Sequence, residues 1–243
     1  MARETGLRIG SFAGAAIVIE PAFLLLAAYV VGSAFLRNGA EALPSALIYV
    51  GVIFTAVLVH EFGHASAAAA LRIPSKRIVL TFFGGYVQFA RQPEKLWHEI
   101  VVSAAGPGAN LVTWLLVTSL WPLLVSGFAL DPASDGFLRA LNLLAFVSLI
   151  LGLFNLLPGF PLDGGHILRA ALSYVFARPM ARLIAAVCGL AVAAAIAVFA
   201  LTGTLVWTGL IAVLLGLAAW AELAAARREM ARPSADASDL PNG

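Results

Sequence analysis

Charge and cysteine are what this sequence has least of. Only 12% of its 243 residues are Asp, Glu, Lys or Arg, where a soluble domain carries about 25%. With 61% hydrophobic residues and a mean hydropathy of +0.95, the chain is excluded from the ordinary soluble class and reads as an integral membrane protein. Its one cysteine, Cys188, excludes a disulfide framework and a cysteine-based metal cluster; lying in an apolar run, it reads as a small core residue. The net charge of +2 is too small to suggest a nucleic-acid partner. Acidic residues are scarcest of all along the second half, where Asp163 is the only one between Asp135 and Glu222.

What is present is long apolar stretches. Residues of about 11–36, 44–71, 100–124 and 138–157 are each long enough to span a hydrocarbon core of about 30 Å, and the charge-free run Leu183–Ala221 holds two more spans with Thr202-Gly203-Thr204 as the turn. The first stretch is interrupted by Glu20-Pro21 and exceeds the 7–15 residues of a signal-peptide core, so it reads as a transmembrane helix. The expected fold class is therefore an all-α polytopic membrane protein of about six helices. Residues 1–226 form one domain, followed by a disordered cytoplasmic tail, 227–243, carrying the turn signal Arg232-Pro233-Ser234. With the N-terminus in the cytoplasm, thirteen of the fifteen basic residues fall on the cytoplasmic side, all but Arg37 and Arg139, as the positive-inside rule requires. The expected location is a prokaryotic plasma membrane with both termini cytoplasmic.

Against this background one segment stands out. His60-Glu61-Phe62-Gly63-His64 closes a run from Ala42 that contains no charged residue, and an ionisable group at membrane depth is a functional-site hypothesis by default. On a helix, positions i and i+4 lie on one face about 6 Å apart, so His60 and His64 can offer ring nitrogens to one ion. Zinc is the usual occupant, and Glu61 beside the first ligand can take a proton from a metal-bound water, the H-E-x-x-H arrangement of metalloproteases. Counting about 1.5 Å per residue from Arg72, His64 and His60 lie roughly 12 and 18 Å along the helix, inside the membrane.

A catalytic zinc site needs a third protein ligand. Asp163 is the leading candidate, on the irregular segment Asn155-Leu156-Leu157-Pro158-Gly159-Phe160-Pro161-Leu162-Asp163-Gly164-Gly165-His166, which cannot continue a regular helix and so implies a protein-lined or wet cavity. Asp163 also reads as a helix N-cap; His166 is a rival ligand and His98 a more distant one. Between the first two motifs, Arg77 to Phe89 is rich in β-branched and aromatic residues around Gly84-Gly85, which predicts a β-hairpin with the two glycines as its turn, or else a stiff connecting loop. In Ser103-Ala104-Ala105-Gly106-Pro107-Gly108-Ala109-Asn110, small residues permit close helix packing and Asn110 needs an internal partner.

Together these segments resemble the site-2 protease family of intramembrane zinc metalloproteases, in a compact form without PDZ or CBS domains. The helix of His60-Glu61-Phe62-Gly63-His64 is similar to the family's first motif and Asn155 through Gly165 to its Asn-x-x-Pro-x-x-Pro-x-Asp-Gly-Gly motif. Phe83-Gly84-Gly85 and Gly106-Pro107-Gly108-Ala109-Asn110 match two further signatures, all in order over about residues 50–170. The resemblance implies one Zn²⁺ per chain on His60, His64 and Asp163, Glu61 as catalytic base, and a membrane-anchored protein as substrate. Asn155 can steady the substrate or the oxyanion, or serve as interhelical glue. Gly84, Gly85, Tyr86 and Val87 are expected to bind the unwound substrate as an added strand. A metal-binding transporter and a catalytically inactive relative are the competing readings; a carboxylate directly after the first ligand favours hydrolysis over transport.

Overall fold

The computed structural model describes residues 6–81, 84–128, 135–203 and 205–231. Arg3, Phe82-Phe83, Asp131, Thr204 and the segment 232–243 lie outside the described residues. The order of elements is β1 (Leu7–Phe12), β2 (Ala15–Ile19), α1 (Pro21–Asn38), a 3₁₀ turn, α2 (Leu43–Ala70), β3 (Ser75–Thr81), β4 (Gly84–Phe89), α3 (Leu96–Phe128), α4 (Asp135–Asn155), α5 (Asp163–Leu172), α6 (Arg178–Thr202) and α7 (Val206–Ala231). Among the described residues six helices are long and apolar enough to cross a membrane, all but α5. The chain divides into two compact units, one of Met1–Glu94 with Val101–Asn155 and one of Lys95–Ile100 with Leu156–Gly243.

In the first unit the expected hairpin is half of a four-stranded sheet of order β1-β2-β3-β4. The outer pairs are antiparallel and the central pair, β2 with β3, is parallel. Residues 11–19 are therefore the two strands of a hairpin and its turn rather than the start of a transmembrane helix. Ala13 and Gly14 both have positive φ, 49° and 82°, and link Phe12 to its partner Ala15, the geometry of a two-residue type I′ hairpin loop. Helix α1 begins only at Pro21, whose fixed φ and missing N–H suit the first turn of a helix but not its middle. The glycines of the second hairpin also sit elsewhere than expected: Gly84 pairs with Thr81 and Gly85 with Leu80, so both open β4 and neither makes the turn.

The sheet covers the second half of α2. Ala15, Ile17 and Ile78 pack with Ala65, Phe62 and Leu58, and Ile19 and Leu80 with Val57 and the α1 residue Phe23. Phe12 stacks on Phe62 with ring centroids 4.0 Å apart. Helix α2 ends in a Schellman motif, Ile73 N–H donating to the Ala68 carbonyl at 2.8 Å and Arg72 N–H to that of Ala69 at 2.9 Å; Arg72 takes the left-handed position at φ 58° where glycine is usual. This turn sends the chain straight from the helix into β3.

In the second unit α6 and α7 pack along their length, with Phe160, Ala185, Ala186 and Leu223 as a buried cluster. Arg182 holds Glu222 at 2.7 Å and also pairs with Glu229. That pairing helps keep α7 helical to Ala231, so the first five residues of the expected disordered tail are helix.

Candidate metal centre

Helix α2 carries His60, Glu61 and His64 in its buried half; they are 6%, 3% and 8% exposed. Its 100° step per residue aims the two imidazoles at α3 and the carboxylate at β4. Gly63 permits the approach to α3, since a Cβ there would lie 2.3 Å from the Ala105 carbonyl oxygen. Gly106 permits it again, because its Cβ would lie 2.2 Å from His64 Nε2. On the other side a Cβ on Gly85 would lie 2.7 Å from Glu61 Cγ and 2.8 Å from its Oε1. The glycines of three separate motifs are thus the places where α3 and β4 close against the same turn of α2.

The histidine tautomers follow from their partners. His64 Nδ1 lies 2.7 Å from the Val102 carbonyl oxygen, which can only accept, so Nδ1 donates. Asn110 Nδ2 donates to the Ala56 carbonyl at 3.0 Å; its Oδ1 therefore faces His60 Nδ1, at 2.7 Å, and accepts from it. Both Nε2 atoms are left with a lone pair, and they face each other at 3.1 Å. Two imidazoles on a tetrahedral zinc, with Zn–N bonds of about 2.0–2.1 Å, hold their nitrogens about 3.3 Å apart, so the donor set fits the ion.

Other sequence candidates are placed as follows. Asn155 is the last residue of α4, and its Nδ2 donates to the Leu151 carbonyl of its own helix at 3.0 Å. In the second unit Asp163 is the first residue of α5 and Leu162 holds the N-cap position, so Asp163 is not the cap. His166 Nδ1 lies 3.8 Å from Glu99 Oε1, to which Arg169 also binds, and its ring meets Phe160 edge-on. His98 packs edge-on against Trp97. Tyr86 and Val87 lie on β4, paired with Val79 and Ile78; β4 ends the sheet order. Asn110, whose need for a partner was legible but whose partner was not, turns out to be a fully buried contact of His60.

A family model described as peptidase family M50 matches residues 48–129 and 122–201. A zinc metalloprotease of Methanocaldococcus jannaschii is 28% identical over 170 residues, 69% of this chain and 45% of that one. A Synechocystis protein is 32% identical over 177 residues, 69% of this chain and 44% of that one. The chain thus spans a little under half the length of these two relatives. Stage IV sporulation protein FB of Bacillus subtilis is 34% identical over 113 residues, 46% of this chain and 36% of that one. Among solved structures, the site-2 protease from M. jannaschii superposes with a TM-score of 0.66 at 25% identity, covering 90% of this chain and 95% of that one. With the family model matching well over half of the sequence, and with two lone-pair nitrogens and a buried carboxylate on one helical turn, the chain belongs to peptidase family M50.

Proposed function

We propose that this protein is an intramembrane zinc metalloprotease that hydrolyses a peptide bond within or near a transmembrane helix of a membrane-anchored protein, in the manner of regulated intramembrane proteolysis. The observation that carries the reading is the facing pair of His60 and His64 Nε2 atoms with Glu61 buried beside them. His60 and His64 hold one zinc ion through Nε2, and Asp163 supplies the third ligand through a carboxylate oxygen. Its support is chemical: it is the only acidic residue between Asp135 and Glu222, it is not spent as an N-cap, and it occupies the aspartate position of the family's second motif.

A bound zinc ion would lower the pKa of its water to about 7 and polarise a substrate carbonyl. Glu61 then accepts the proton of the attacking water at its carboxylate and passes it to the leaving nitrogen. The buried surroundings keep bulk water from competing for that proton. Asn155 is assigned to steadying the substrate backbone. A substrate helix conceals its amides in its own hydrogen bonds and must unwind before cleavage. The outer edge of β4, at Gly84 to Val87, captures the unwound segment by strand addition, next to the point where Gly85 touches Glu61. The topology proposed is that of the charge asymmetry, both termini in the cytoplasm of a prokaryotic cell.

The test is the zinc content of the detergent-purified protein, wild type beside Asp163→Ala and the double variant His60→Ala, His64→Ala. One zinc per chain, kept only by the wild type, is expected; full zinc in Asp163→Ala under chelator would move the third ligand elsewhere, and none in the wild type would remove the chemical basis. Cleavage is then sought by co-expressing a library of single-span membrane peptides with wild type or Glu61→Gln and reading products by mass spectrometry. Adjacent strand residues point their N–H groups to opposite edges. Of Tyr86→Pro and Val87→Pro, the variant that keeps the fold is therefore expected to lose cleavage; full cleavage by that variant would dismiss strand capture.

A further inference from the structure

We propose that Asn110 is a positioning residue for the metal: its Oδ1 sets the tautomer and ring plane of His60 so that Nε2 is presented to the ion. This inference rests on reading His60 and His64 as ligands. Asn110 is wholly buried in α3, and its two polar atoms do different things on α2. Nδ2 donates to the carbonyl of Ala56 at 3.0 Å, one helical turn before His60. Oδ1 accepts from His60 Nδ1 at 2.7 Å. Since a main-chain carbonyl can only accept, the first bond dictates the second: the amide cannot flip without setting Oδ1 against the Ala56 oxygen. A ring held this way donates from Nδ1 and keeps the Nε2 lone pair for a ligand, as metal-binding histidines do when a partner behind them fixes the tautomer.

The two histidines differ in what stands behind them. His64 leans on the main-chain carbonyl of Val102, which no substitution removes. His60 leans on a side chain, so its orientation is open to mutation. Asn110 also ties the ring to the carbonyl that ends the preceding turn of its own helix, so the imidazole and the turn of α2 that carries it are held by one amide.

The two bonds can be separated. Asn110→Asp keeps an acceptor for His60 but loses the donor to Ala56 and sets a carboxylate against that carbonyl; Asn110→Leu keeps the number and branching of the heavy atoms and loses both bonds. Zinc release into a chelator is expected to be about 10–100-fold faster in Asn110→Leu than in wild type and near wild type in Asn110→Asp. Thermal stability of the zinc-free protein is expected to rank the other way, with Asn110→Asp below Asn110→Leu. Cobalt-substituted Asn110→Asp should keep the wild-type visible absorption bands. Zinc retention that simply follows zinc-free stability, with Leu above Asp, would reduce Asn110 to a packing residue and overturn the proposal. Should Asn110→Leu not fold, the Asp variant alone decides, since retention falling with its stability is the overturning result. A wild type that binds no zinc would instead strike the ligand reading itself.

Discussion

Two glycine-rich regions of this molecule use the same residue to opposite ends. Around α2, the atoms that a Cβ would meet at Gly85 and Gly106 belong to side chains, Glu61 and the His64 imidazole. In the segment leading into α5 they belong to the backbone. A Cβ on Gly159 would lie 2.4 Å from Gly189 Cα, one on Gly164 2.3 Å from the Leu157 carbonyl oxygen, and one on Gly165 2.4 Å from Phe160 N. A side chain can swing aside and a main chain cannot. At Gly85 and Gly106 a substitution therefore bears on function first, whereas at Gly159, Gly164 and Gly165, as at Gly63 against the Ala105 carbonyl, it bears on folding.

The sharpest way to widen this contrast is Glu61→Gln, which removes the proton acceptor from the first region without adding an atom. Cleavage is expected to fall by about 10²–10⁴-fold with zinc content and melting temperature unchanged. Next comes Gly165→Ala in the second region, expected to cost about 3 kcal/mol, the upper end for forced insertions into a packed core, and read as lost expression or a lowered melting temperature. Gly106→Ala tests the boundary between the classes. His64 is held from behind by Val102, so its ring yields only at a cost of about 1–3 kcal/mol; both zinc retention and stability should drop. Gly85→Ala meets the flexible end of Glu61, so the fold should survive while a displaced carboxylate lowers cleavage up to about 10²-fold. An equal loss of stability in Gly85→Ala and Gly165→Ala would erase the distinction. The smallest effect belongs to Arg91→Ala, whose exposed pair with Glu94 at 3.1 Å contributes within about 0.5 kcal/mol, measured by the same melting curves.

The facing of the two histidines was legible because its signal is local: the i, i+4 spacing of His60 and His64 needs only a helix. The six long apolar helices were legible for the same reason, although α1 starts later and α3 earlier than the apolar runs alone suggest, at Pro21 and Leu96. The N-terminal strands were hidden because in Ala15-Ala16-Ile17-Val18-Ile19 the less buried positions, Ala16 and Val18, are as apolar as the buried ones, so the alternation shows in burial and not in residue type. The available clues were the β-branched run and Pro21, which marks a start rather than a middle. Gly85 misled in an instructive way: a Gly-Gly pair signals a turn by backbone freedom, whereas here the second glycine answers to a side chain twenty-four residues earlier. The partner of Asn110 was not legible at all, since nothing local says which of several helices it faces.

The parallel pairing of β2 with β3 brings Ala16 opposite Arg77, and everything between them is α1, the short turn and α2. Paired strands reach a bilayer from the same side, so this pairing can form only if the two helices go out and come back. At a synthesis rate of about 5–20 residues per second, β2 waits roughly 3–12 s for its neighbour to be made, with only the β1 hairpin guarding it. The sheet is in that sense a latch, closing after insertion and only on a chain whose first two crossings have been threaded the right way.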